Sequence, residues 1–184
     1  MAPHDALSEF DLIKHYFVRQ RPGRATLGIG DDCALMTPSA GKQIAISSDM
    51  LVEDRHFFAG ADARMLGHKS LAVNLSDLAA MGARPVAFTL ALALPQAERS
   101  WLAGFAEGLF ALADAFHCEL IGGDTTKGPL NICITYSANW RRARPCAAAL
   151  PWRATISGSV APWATRAWHW QATAWNRSWR QTTC

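Results

Sequence analysis

Apolar residues first recur at helical spacing just after Ser8, at Phe10, Ile13 and Phe17, with Leu12 and Tyr16 beside them. Asp11 stands three positions after Ser8, as in a capping box, so a short helix is predicted here, ended by Pro22 and Gly23. Two apolar segments follow, Ala25 to Met36 and Gln43 to Met50, separated by the turn-rich run from Thr37 to Gly41, and they predict two strands. Glu53 to Gly60 reads as a loop. From Asp62 to Met81 the apolar positions Met65, Leu66, Leu71, Ala72, Leu75, Leu78 and Ala79 keep a helical period, with Gly82 where such a helix would stop. Pro85 to Leu94 then predicts a strand, Glu98 to His117 an amphipathic helix, and Cys118 to Gly122 and Leu130 to Thr135 two further strands. Strands and helices mixed in this way, without a strict βαβ rhythm or an internal repeat, imply an α+β fold: a mixed sheet with helices packed on it.

Charge changes this picture at one place. All 15 acids but only 11 of the 18 basic residues lie in residues 1 to 135, which makes that part net −4. Residues 136 to 184 carry seven arginines, no acid and seven of the eight tryptophans, for a net charge of +7. The overall charge of +3 is therefore an average over two unlike parts, and a domain boundary is expected close to Thr135. The chain is long enough for one domain with a true core and short for two full ones. No run approaches the roughly 18 apolar residues of a membrane span, and the start, MAPHDALSEF, lacks the basic and apolar regions of a secretory signal, so a cytoplasmic protein with no membrane partner is expected. The five cysteines are scattered without a C-x-x-C pair, and Cys33 and Cys133, in apolar runs, are expected to be buried thiols.

Three polar clusters interrupt the apolar pattern: GIGDDCA at 28 to 34, Ser47-Ser48-Asp49, and GGDTT at 122 to 126. A fourth acid, Asp77, follows Asn74 by three positions in the long helix, within NLSDLAAMGA. Each has an ordinary reading when taken alone: Asp31, Asp32 and Asp124 as turn residues, Asp49 as a strand end, Asn74 and Asp77 as a solvated helix face, His56 as a loop residue. Together they form a set of acids, without matching bases, in apolar surroundings where an unpaired carboxylate is costly. Carboxylate and hydroxyl oxygens suit Mg²⁺, which binds through a few carboxylates together with substrate phosphates, and the adjacent glycines allow close approach of a polyphosphate. There is no G-x-x-x-x-G-K-[ST] loop and no dinucleotide fingerprint.

In this order and spacing, GIGDDCA, the SSD strand end, NLSDLAAMGA and GGDTT resemble the thiamine-monophosphate kinase family, and the resemblance runs from about Glu9 to Thr135. It implies the amino-terminal domain of the aminoimidazole ribonucleotide synthetase-like superfamily, whose other members include selenophosphate synthetase and a hydrogenase-maturation protein. It implies transfer of the terminal phosphate of ATP to thiamine monophosphate, giving thiamine diphosphate, with several Mg²⁺ ions. By resemblance, Asp32, Ser47, Ser48, Asp49, Asp77 and Asp124 hold metal, Gly123 and Asp124 contact ATP, and His56 contacts the substrate. Ser48 departs from the threonine common at its position but keeps the hydroxyl. A homodimer through the amino-terminal domain is also implied, and no catalytic base is assigned. The competing readings are another ATP-dependent member of the superfamily and an inactive Mg-ATP-binding fragment.

After Thr135 the resemblance stops, where the family continues into a carboxy-terminal domain. Joining the third base of each codon to the first two of the next has outcomes fixed by the genetic code: Trp163-Ala164 gives glycine, Trp168-His169 alanine, His169-Trp170 leucine, Trp170-Gln171 alanine and Trp175-Asn176 glutamate. With synonymous codons chosen freely elsewhere, Ala154 to Gln171 can be read as Asp-Asp-Ile-Trp-Val-Ser-Gly-Thr-Leu-Gly-Asp-Ala-Arg-Leu-Ala-Leu-Ala, similar to the family's strand, Gly-x-x-Gly-Asp turn and helix. Residues 136 to 184 are therefore read as a frameshifted tail without native structure. The rival reading, an Arg/Trp-rich segment for nucleic acid, leaves the other frame unexplained, so no nucleic-acid partner is expected.

Overall fold

A computed structural model describes residues 8–19, 23 and 25–140. The tail read as frameshifted lies outside the described residues from residue 141 onward. The first helix, α1 (Glu9–Leu12), is capped by Ser8, whose Oγ accepts from the Asp11 N–H and donates to Asp11 Oδ2, and it widens into a π-helical turn over Ile13–Phe17. The strands are β1 (Ala25–Leu27), β2 (Leu35–Met36), β3 (Gln43–Val52), β4 (Arg84–Leu94), β5 (Glu119–Lys127) and β6 (Asn131–Trp140), and the two long helices are α2 (Ala63–Ala80) and α3 (Arg99–Ala115). Strands β3 to β6 form one sheet in the order β3-β6-β4-β5, antiparallel except for the β4–β5 pair; β1 and β2 make a separate antiparallel ribbon. The expected α+β fold is the observed one.

Register assigns each side chain to a face, because direct cross-strand partners point the same way. Ile132, Ile134, Tyr136 and Ala138 of β6 share one face with Phe88, Leu90, Leu92 and Leu94 of β4, and these residues are buried in one core with Leu66, Leu71, Leu75 and Leu78 of α2 and Leu102, Phe105, Leu109 and Leu112 of α3. Each fully buried Leu, Ile or Phe of that core contributes about 1.5–3 kcal/mol by leaving water. Among the described residues the opposite face is covered at one end, where Ala25, Ala34 and Met36 of the ribbon region pack on Val86, Ala87 and Ile121.

Helices α2 and α3 touch closely because glycine stands at the crossing. A Cβ on Gly108 would lie 1.9 Å from the Arg64 carbonyl oxygen, and one on Gly67 2.1 Å from that of Phe105. Gly108→Ala is thus expected to lower stability by about 1–3 kcal/mol through overpacking. Gly104→Ala, whose Cβ would meet the Ala63 Cβ at 3.4 Å and the Arg64 N at 3.6 Å, should gain helix propensity instead. Thermal unfolding of the two variants checks the contrast, and equal melting temperatures would refute it.

Three details depart from the sequence reading. The segment Ala25 to Met36 is two short strands around an exposed turn, since the glycines and acids of GIGDDCA cannot sustain a ladder. Cys33 falls in that turn and is exposed, whereas Cys133 and Cys118 are partly buried. Burial pushes the Cys118 thiol up to about 11, so iodoacetamide at pH 8 should modify Cys33 well before Cys118; peptide mapping after brief exposure checks this. Strand β6 also continues past Thr135 to Trp140, whose Nε1–H donates to the Met81 carbonyl over 3.2 Å.

Candidate functional site

Strand β3 lies at one edge of the sheet and α2 passes over it, because β3 ends at Val52 and the loop that follows reverses the chain into α2, capped by Asp62 at the Met65 N–H. Asp49 is opposite Ile134 in register, and Ser47 opposite Tyr136, so Ser47 and Asp49 face the helical layer. Asp77, in the last turns of α2, meets them there. Its carboxyl lies near enough to Asp49 and to the Tyr136 hydroxyl to interact with both, and Ser47 neighbours that hydroxyl.

This cluster is electrostatically unbalanced. Asp77 keeps an exposed flank, yet partial burial of its carboxyl, followed by the charge of Asp49, raises its pKa above the ordinary carboxylate value, and the Tyr136 hydrogen bond offsets only part of that. Burial first, and then the two carboxylates, also raise the Tyr136 hydroxyl, which stays a neutral donor. Two neighbouring hard carboxylates, with hydroxyls beside them, fit a small divalent cation that retains water ligands. Asn74 does not join them. Three residues along a helix leave two side chains about 60° apart, and here the edge of the buried stripe falls between them: Asn74 is buried at 1% exposure while Asp77 is exposed. The Asn74 Nδ2 donates to the Ser70 carbonyl, and its Oδ1 has no partner among the described residues.

The remaining expected ligands lie elsewhere. Ser48 faces the open side of the sheet, its Oγ 2.8 Å from Thr135 Oγ1. Asp124 is paired with Ala91 on that same open side, but on β5, the opposite edge from β3. Three strand spacings, roughly 14 Å, separate the two edges. Asp32 is exposed in the turn between β1 and β2, its N–H bonded to Asp31 Oδ1. Among the described residues no group of three His, Cys, Asp or Glu side chains converges as a metal cage. Gly123 adopts φ of 151°, and a Cβ there would stand 1.9 Å from the Leu90 carbonyl oxygen, so only glycine fits this strand position.

His56 sits in the turn after β3. The His56 N–H donates to the Val52 carbonyl at 2.9 Å, the Val52 N–H donates to His56 Nδ1 at 3.0 Å, and the Lys69 ammonium of α2 donates to the His56 carbonyl. Sequence reasoning missed Tyr136 and Lys69. The alternation of β6 carries a signal for the first, since Tyr136 follows Ile132 and Ile134 on the buried parity, but the change in composition after Thr135 masked it. Nothing in the spacing signals Lys69, which reaches the turn only once α2 packs over β3.

The family model for the AIR synthase related protein, N-terminal domain, matches residues 30–139. A thiamine-monophosphate kinase of Salmonella typhimurium is 50% identical over 131 residues, covering 70% of this chain and 40% of the relative. The crystal structure of thiamine-monophosphate kinase from Stenotrophomonas maltophilia matches with a TM-score of 0.61 and 50% identity, over 65% of this chain and 38% of that one. A structure of AaThiL complexed with AMPPCP and TMP matches with a TM-score of 0.54 at 27% identity, over 58% of this chain and 35% of that one. The chain spans about 40% of the length of the curated relatives it matches. The chain belongs to the AIR synthase related family through its N-terminal domain, and over that domain it is a homologue of the thiamine-monophosphate kinases.

Proposed function

We propose that this chain carries the amino-terminal, magnesium- and nucleotide-binding part of a thiamine-monophosphate kinase, in which ATP phosphorylates thiamine monophosphate to thiamine diphosphate and ADP is released. The observation that carries this reading is the mutual electrostatic influence of Asp49 and Asp77 at the β3 edge, in a domain 50% identical to such a kinase. Bound there, Mg²⁺ would neutralise charge on the phosphates and orient them. Asp49 and Asp77, with Ser47, supply hard oxygens on the helical side; Asp32, Ser48 and Asp124 are the proposed further ligands. Gly123, beside Asp124, is the proposed contact to ATP. The His56 imidazole is the proposed contact to the acceptor. Phosphoryl transfer needs positioning and charge neutralisation more than a covalent nucleophile, and no side chain is assigned as base.

A homodimer through the sheet is part of this proposal. The open face of edge strand β3 exposes Ile46 at 68% and Met50 at 53%, apolar surface suited to a second copy. A cytoplasmic location is proposed on the same reading, and no helix among the described residues is long and apolar enough to cross a membrane. The test is ADP release and thiamine diphosphate formation with thiamine monophosphate, set against aminoimidazole precursors under the same magnesium and ATP. Turnover with the latter alone would assign a different acceptor.

A further inference from the structure

The turn that follows β3 is closed by its own backbone. Asp54 N–H donates to the Phe57 carbonyl at 2.8 Å, and the N–H groups of Arg55 and His56 both reach the Val52 carbonyl, at 3.2 and 2.9 Å. Phe57 anchors the turn in the core at 8% exposure, and Asp54 takes φ of 61° to complete it. The His56 side chain then folds back so that Nδ1 accepts from the Val52 N–H. A nitrogen that accepts carries no proton, so the neutral ring bears its hydrogen on Nε2. That Nε2–H has no partner among the described residues, and His56 is exposed. What this turn offers a ligand is thus one oriented N–H donor, suited to an acceptor oxygen such as that of a phosphate.

Among the described residues the turn has a single polar tie to the helical layer: the Lys69 ammonium, held by the His56 carbonyl. Lys69 is half-buried and burial lowers its pKa, so its ammonium sits there at a desolvation cost that the carbonyl bond offsets. Lys69 is eight residues before Asp77 on α2, roughly 12 Å along the axis, and α2 runs over the β3 edge from the Val52 end towards Asp49. The His56 donor and the acid pair therefore lie along one edge of the domain, with Lys69 fixing the spacing between them.

We propose that Lys69 is a positioning residue for the acceptor phosphate: by holding the His56 carbonyl to α2 it fixes the imidazole in its Nε2–H form, aimed at a phosphate oxygen. This rests on the reading of His56 as an acceptor contact. The test uses the full chain with thiamine monophosphate and inorganic phosphate as probes, and the variants Lys69→Met, Lys69→Arg, His56→Ala and the Lys69→Met/His56→Ala double. Imidazole ¹⁵N correlation spectra should show the Nε2–H tautomer for His56 in the parent and in Lys69→Arg, and a tautomer mixture in Lys69→Met. Affinity for both probes should fall about tenfold in Lys69→Met and in His56→Ala, with the double variant no weaker than His56→Ala, as residues acting through one contact require. Circular dichroism of Lys69→Met and the retained function of Lys69→Arg separate mispositioning from unfolding. An unchanged tautomer and unchanged affinity in Lys69→Met would overturn the role of Lys69, whereas unchanged affinity in His56→Ala would overturn the reading of His56 itself.

Discussion

Replacing Asp77 by asparagine is expected to raise the thermal stability of the metal-free protein at pH 7 while removing most of its stabilisation by magnesium and ATP. The two effects have one cause. In the fold, burial and the neighbouring Asp49 charge both oppose ionisation of Asp77, so its folded pKa lies above its unfolded value. A carboxyl shifted in that direction costs stability at every pH above the folded pKa, and the cost disappears as pH falls below the unfolded value near 3.8. Asparagine is never charged, so the variant should be more stable than the parent at neutral pH and should lose that advantage at about pH 4. A ligand present at 100 times its dissociation constant stabilises by about 2.7 kcal/mol, and a 100-fold loss of affinity leaves about 0.4 kcal/mol. Asp114→Asn is the control, because that acid pairs with Arg19 at 2.7 Å on α3, remote in sequence from the acid pair. Melting curves with and without magnesium and ATP, at pH 4 and pH 7, decide the matter. If Asp77→Asn and Asp114→Asn respond alike, the acid pair is not the metal site.

The second large effect is expected from the reading frame. Chains ending at Cys184 as written should form little thiamine diphosphate, and a chain with the frame corrected beyond Trp140, where β6 ends and the family match has stopped, should form it readily. Asp124 and Asp49 sit on opposite edges and opposite faces of the sheet, so the described domain does not by itself gather the acids around one polyphosphate. In-line transfer needs donor and acceptor phosphates held to within a fraction of an ångström, and a misplacement of about 1 Å can cost about 100-fold. Residues 141 to 184 offer no acid to complete such a clamp, and their composition is basic and tryptophan-rich. Purified chains of both kinds, assayed with the same magnesium and ATP, give the comparison. Equal turnover would show that the readable half suffices and that the tail has been misread.

Periodicity alone located the two long helices and the strands β3 to β6, most to within about two residues, because each carries a long buried stripe that only one secondary structure can present to a core. The Asp62 cap and the Gly82 stop were legible for the same reason, being local chemistry of the backbone. The ribbon β1–β2 was not, since a two-residue strand leaves no pattern. The acids of the candidate site were legible as residue types out of place in apolar runs, and the family resemblance ordered them. Their distribution in space was not. Whether Asp49 meets Asp77 or Asp124 depends on which strands are neighbours, and the order β3-β6-β4-β5 sends the last strand of the domain into its middle. Strand neighbours are chosen by long-range pairing and by the burial of one whole face, energies shared among many residues and written at no single position. The sequence by itself thus determined the elements, the hard-oxygen chemistry and the family, because these depend on local period and residue type. Only the tertiary structure decided that Asp77, Asp49, Ser47 and Tyr136 share one edge, and that Lys69 reaches His56, because those contacts exist only once α2 is laid across β3.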